Sequence, residues 1–123
     1  MFAIEVQATF CASHQLRLPG GVLEPRHGHD WHVTARVVSE QLDALDTVMD
    51  FHTLEWLLRE VCDLWHHKHL NDLAPFDNAV NPSAERVAQR IAELLAAKIP
   101  PPAKLQSISI TEAPGCLAVF IPE

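Results

Sequence analysis

Phe2, Ile4, Val6, Ala8 and Phe10 alternate with mostly polar neighbours, a repeat of two residues at the start of the chain. Only an extended backbone puts such positions on one side, so this segment reads as a half-buried strand running toward His14. From His27 to Ser39 the sequence is rich in Val, Thr, His and Trp, which reads as a second long strand. Gln15 to Arg26 lies between them and contains Pro19-Gly20-Gly21 and Pro25. That connection is longer than a hairpin needs and is a candidate functional loop.

The period then changes. Asp50 can cap a helix whose apolar positions, Phe51, Leu54, Leu57, Leu58, Val61, Leu64 and Trp65, follow helical spacing. After a loop around Pro75, Asn81 before Pro82 is the expected cap and first-turn pair of a second helix, with Val87, Ile91, Leu94 and Leu95 as its buried stripe. Pro100-Pro101-Pro102 stops it. Leu105 to Thr111 and Cys116 to Ile121 read as two short strands joined through Pro114-Gly115. The order strand, strand, helix, helix, strand, strand predicts an α+β layer: a four-stranded antiparallel sheet with both helices on one face. Such a sheet leaves two exposed edges, so ordered association through strand edges is expected.

A length of 123 residues suits one domain spanning 1–123. No run of about twenty apolar residues offers a membrane span. The start, Met1-Phe2-Ala3-Ile4-Glu5, has no basic segment followed by an apolar run, so no secretory signal is read and a cytoplasmic location is expected. Three cysteines, Cys11, Cys62 and Cys116, are an odd count without framework spacing, which argues against a disulfide scaffold. The net charge of −7, with nine scattered cations, excludes a basic nucleic-acid face. An anionic substrate would need a local positive site, from a metal or a few placed cations.

Eight histidines in a chain this short are unusual, and their clustering carries the chemistry. His27-Gly28-His29 places two imidazoles on one face of a strand, with Gly28 allowing close backbone approach between them. His14 ends the preceding strand, which can lie beside it. Three neutral imidazoles suit zinc and leave a fourth position open, as in catalytic sites. Cys11, an odd number of residues from His14, would point the other way and reads as a small core residue. His32 and His52 read as structural. His66-His67-Lys68-His69 falls where the first helix ends; cations are favourable there, and the same cluster could supply a general acid or base. Glu112 is a carboxylate at a strand end, of a kind that is usually just solvated.

Taken together, these segments resemble the 6-pyruvoyl-tetrahydropterin synthase and 6-carboxytetrahydropterin synthase family over essentially the whole chain. Phe10-Cys11-Ala12-Ser13-His14 is similar to its F-x-A-A-H, and His27-Gly28-His29-Asp30-Trp31 to its H-G-H-N-Y. Val48-Met49-Asp50-Phe51 matches M-V-x-D-F, and His67-Lys68-His69-Leu70-Asn71 matches D-H-K-x-L-N after its first position. Asn81-Pro82-Ser83-Ala84-Glu85 matches N-P-T-x-E, and Thr111-Glu112 the E-T region. The resemblance implies the tunnelling fold (T-fold), in which three subunits join sheets into a barrel and two trimers stack into a homohexamer. It implies zinc on His14, His27 and His29, a pterin anchored by Glu112, and 7,8-dihydroneopterin triphosphate as substrate. His67 matches the family's catalytic histidine.

Two departures qualify the expected chemistry. The family's proton-abstracting cysteine, four residues before H-G-H, is Leu23 here. The next residue, Glu24, gives E-x-x-H-G-H, which resembles a subgroup where glutamate replaces the cysteine and the side chain is cleaved to 6-hydroxymethyl-dihydropterin, a folate precursor. The aspartate that precedes the catalytic histidine is His66. The resemblance therefore implies a zinc-dependent lyase of the carbon–oxygen type, its exact reaction open, with Glu24 or His67 as base. Its product could be the carboxy-tetrahydropterin of queuosine synthesis, pyruvoyl-tetrahydropterin or hydroxymethyl-dihydropterin. The alternatives are an idle zinc- and pterin-binding homologue and a three-histidine zinc hydrolase.

Overall fold

The computed structural model describes residues Met1–Glu123. β1 (Phe2–His14) and β2 (His27–Ser39) pair antiparallel in unbroken register, from Phe2 opposite Ser39 to His14 opposite His27. The two-residue repeat puts Val6, Ala8, Phe10 and Ala12 on the buried face together with Trp31, Val33, Ala35 and Val37. His14, His27 and His29 continue that face at the end of the hairpin. β4 (Lys104–Ala113) pairs with the other edge of β2, and β5 (Cys116–Phe120) pairs with β4, both antiparallel.

The sheet has five strands rather than the four expected. β3 (Lys68–His69) lies parallel to β1 against Ala12 and Ser13, giving the order β3-β1-β2-β4-β5. Two residues are too few to show a period, so this strand left no trace in the hydrophobic pattern.

α1 (Phe51–Asp63) packs on β1, and α2 (Ala84–Ala96) on β4 and β5. Leu54, Leu58 and Val61 from α1 and Val87, Ile91 and Leu95 from α2 enter one apolar cluster of 28 residues between helices and sheet. The Asp50 carboxylate caps α1, accepting the Thr53 N–H at 2.9 Å and its hydroxyl at 3.0 Å. The cap of α2 is Ser83, whose hydroxyl accepts the Arg86 N–H at 3.2 Å, and not Asn81. Asn81 is committed elsewhere: its side-chain oxygen accepts the Arg17 N–H at 2.7 Å and its amide donates to the Arg17 carbonyl at 3.2 Å. It ties the loop after β1 to the approach to α2.

Candidate metal centre

The end of the hairpin gathers three imidazoles with their rings at steep mutual angles. Ring centroids lie 4.5 Å apart for His14 and His27, 5.2 Å for His14 and His29, and 4.8 Å for His27 and His29. Trp31, fully buried, forms the floor, with its ring 4.8 Å from His14 and 5.7 Å from His29. Its indole N–H donates to the Ala12 carbonyl at 3.1 Å, which fixes the floor to β1.

Backbone carbonyls set the tautomers. His14 Nδ1 donates to the Pro82 carbonyl at 2.8 Å, and His27 Nδ1 donates to the Pro25 carbonyl at 3.0 Å. A carbonyl can only accept, so in the neutral rings the proton sits on Nδ1 and the Nε2 lone pair faces inward. Such carbonyl partners are what orient metal-binding histidines. The pKa of His29 is held below its ordinary value, chiefly by burial, with His14 and His27 adding to the effect and Glu112 opposing it.

Glu112 completes the cluster. Its Oε1 lies 3.0 Å from His14 Nε2, 3.1 Å from His29 Nε2 and 3.9 Å from His27 Nε2. Despite those distances, His14 Nε2 and His29 Nε2 are buried without a hydrogen-bond partner. On His14 both facing atoms are acceptors, an arrangement that is unfavourable unless a cation sits between them. The four ligand atoms all lie within 4.8 Å of one another, and the group can hold a metal ion. Donors sharing one tetrahedral zinc stand roughly 3.3 Å apart, close to the 3.0 and 3.1 Å that separate Glu112 Oε1 from His14 Nε2 and His29 Nε2.

Glu24 borders the same centre. The loop folds back so that Glu24 Oε1 accepts the Leu16 N–H at 2.9 Å and sits 3.8 Å from His27 Nε2. Leu23, by contrast, is exposed. His67 is elsewhere. It lines a separate cleft of about 340 Å³ with Cys11, Ser13, Arg26, Gly28, Lys68 and His69. Cys11 and Ser13 alternate with Ala12 and His14, so this cleft opens on the opposite face of the sheet. Cys11 is accordingly half-buried there rather than a core residue. The buried thiol is Cys62, whose pKa burial pushes up to about 12.

One contributor escaped the sequence reading. A cleft of about 380 Å³ beside Glu112 is lined by Ala84, Glu85, Cys116, Leu117 and Ala118. Glu85 stands in a motif already noted, yet an acidic residue in a first helical turn is explained by the helix dipole alone. Only the fold brings it to the same cleft as Glu112.

The 6-pyruvoyl tetrahydropterin synthase family model matches residues 3–123. The chain belongs to the 6-pyruvoyl tetrahydropterin synthase family. Solved structures agree at the level of fold. The Caenorhabditis elegans 6-pyruvoyl tetrahydropterin synthase superposes with a TM-score of 0.85 at 20% identity, covering 99% of this chain and 96% of that one. A Plasmodium vivax 6-pyruvoyltetrahydropterin synthase, in a variant with a catalytic glutamate replaced by alanine, gives 0.77 at 18% identity, covering 100% and 99%. An uncharacterised protein from Wolinella succinogenes gives 0.79 at 20% identity, covering 99% and 98%. No curated protein matches the chain by sequence. The T-fold expected from the motifs is thus the fold of these synthases, with the short β3 added to the anticipated strands.

Proposed function

We propose that this member of the 6-pyruvoyl tetrahydropterin synthase family is a zinc-dependent lyase acting on 7,8-dihydroneopterin triphosphate. One observation carries the reading: three inward-facing imidazoles sit beside a cleft that joins apolar walls to two carboxylates. His14, His27 and His29 fit zinc by donor type, and His14 and His27 by tautomer as well. A zinc ion held there would act as a Lewis acid toward oxygens of the substrate side chain. The flat pterin would lie against Ala84, Leu117 and Ala118, with its guanidine-like edge donating to Glu85 and its side chain turned toward Glu112 and the imidazoles.

Glu24 is the base in this reading. It is held at the edge of the imidazole cluster by the Leu16 N–H, and a glutamate is a catalytic residue of the Plasmodium vivax synthase. A carboxylate is a weaker base than the thiolate it replaces, with reference pKa values of about 4.3 and about 8.5. Slow turnover is therefore expected, and the E-x-x-H-G-H resemblance points to scission of a side-chain carbon–carbon bond, leaving 6-hydroxymethyl-dihydropterin, rather than to the carbon–oxygen elimination of the standard synthase reaction. His67, on the opposite face of its own sheet, could serve only a site completed by another copy of the chain.

The decisive experiment incubates the zinc-loaded protein with 7,8-dihydroneopterin triphosphate and identifies the product by mass. About one zinc per chain and a single new pterin are expected, with Glu24→Ala and Glu24→Gln both slower by roughly two orders of magnitude. Wild-type rates in both variants would remove Glu24 from the mechanism. Pterin binding without turnover would leave an idle homologue.

A further inference from the structure

Two asparagines stand in motifs that the metal centre leaves unexplained, Asn71 just after β3 and Asn81 before α2. Each pairs with one residue of the segment that leaves β1. Asn71 Oδ1 accepts the Gln15 N–H at 2.9 Å, and its amide donates to the Gln15 carbonyl at 2.8 Å. Asn81 makes the same two bonds to Arg17, at 2.7 and 3.2 Å. A side-chain amide carries both an acceptor and donors, so each asparagine stands in for a strand partner. The Arg17 guanidinium adds bonds to the Val80 carbonyl at 3.0 Å and the Phe76 carbonyl at 2.6 Å.

Leu16 lies between the two pinned residues, and its backbone groups face the other edge. Its N–H donates to Glu24 Oε1 at 2.9 Å, and its carbonyl accepts the Glu24 N–H at 3.0 Å. The Gln15 side-chain amide also donates to the Glu24 carbonyl, at 3.0 Å. Backbone groups of successive residues in an extended chain point to opposite edges, so asparagines on one edge and Glu24 on the other follow. Pro82, next to Asn81, offers the carbonyl that orients His14. One dipeptide thus fixes both the loop and an imidazole.

From this we infer that Asn71 and Asn81 are positioning residues for Glu24, acting through the Leu16 N–H. Holding Gln15 and Arg17 at both backbone groups sets the direction of that N–H. The Glu24 carboxylate is thereby fixed 3.8 Å from His27 Nε2. The inference rests on the reading of Glu24 as base, and adds to it which residues keep that base in register with the imidazoles. Register matters because a displacement of about 1 Å from reactive geometry can cost on the order of a hundredfold in rate.

The test is a double-mutant cycle on the zinc-loaded protein turning over 7,8-dihydroneopterin triphosphate. Asn71→Ala and Asn81→Ala should each lower kcat by about tenfold or more, with KM and zinc content unchanged. In a Glu24→Ala background the same substitutions should cost nothing further, because the group they position is gone. Asn71→Asp and Asn81→Asp keep an oxygen for the backbone N–H and should recover part of the rate. Amide hydrogen exchange gives a readout free of turnover: the Leu16 N–H should exchange faster in both alanine variants. If one alanine variant does not fold, the other and the aspartate variants carry the cycle. Equal losses with and without Glu24 would make the asparagines merely structural and overturn the inference. So would wild-type kcat and wild-type Leu16 exchange in the alanine variants, beside a slow Glu24→Ala, which leaves the reading of Glu24 standing. Glu24→Ala at the wild-type rate, or no turnover by the wild type, defeats that reading and the inference together.

Discussion

His14 is almost fully buried, only 1% exposed, and bonded through Nδ1 to the Pro82 carbonyl. Its partner His29 has a pKa below 6.5, first through burial, and His69 is lowered too, by burial and then by Arg26. A histidine with a lowered folded pKa takes up its proton more readily when the chain unfolds. Stability of the metal-free protein should therefore be level above about pH 7 and fall as the pH drops below the unfolded value near 6.5. Urea midpoints from about pH 5 to about pH 8 would check it, and midpoints that rise on acidification would contradict it. Bound zinc should strengthen the trend, because protonated imidazoles release the ion.

At the scale of elements, α2 begins at Ser83, and its hydroxyl satisfies the Arg86 N–H. Ser83→Ala should lower stability by about 0.5–2 kcal/mol in denaturant titration without changing zinc content. The long strands and both helices were legible in the sequence because each carries a period, of two or of about 3.6, over many residues. The H-x-H pair was legible for the same reason, since alternation alone puts His27 and His29 on one face. Three features were not. Asn81 looks like a cap by residue type, yet its side chain bonds Arg17, sixty-four residues away in sequence. Glu112 looks solvated until the pairing of β2 with β4 carries it to the histidines. The separation of His67 from the triad follows from the short β3, which places it beside Cys11 on the reverse of the sheet.

For the whole molecule, the edges matter most. β3 covers β1 only at Ala12 and Ser13, so the outer edge of β1 from Phe2 to Phe10 has no strand partner, and β5 forms the opposite edge of the sheet. Open edges of this length are normally covered. Joined edge to edge, three copies could close a barrel, and two such trimers stacked would give the hexamer that the family resemblance implies. Sedimentation at micromolar concentration should give a mass six times, or at least three times, the chain mass of 13.7 kDa. A monomer would contradict this and would leave His67 without a site to serve.

The bond from His14 to Pro82 reaches further than the ring it orients. Pro82 directly precedes the Ser83 cap, so a single carbonyl links the imidazole cluster to the first turn of α2. With zinc bound, His14 would be held at both ring nitrogens; without it only the bond to Pro82 would remain, and the tether on that turn would be looser. Stripping the protein with a chelator should then raise amide hydrogen exchange at Val87 and its neighbours, while the β1–β2 ladder stays protected. The ion would act as a distant rivet for a helix that contributes none of its ligands.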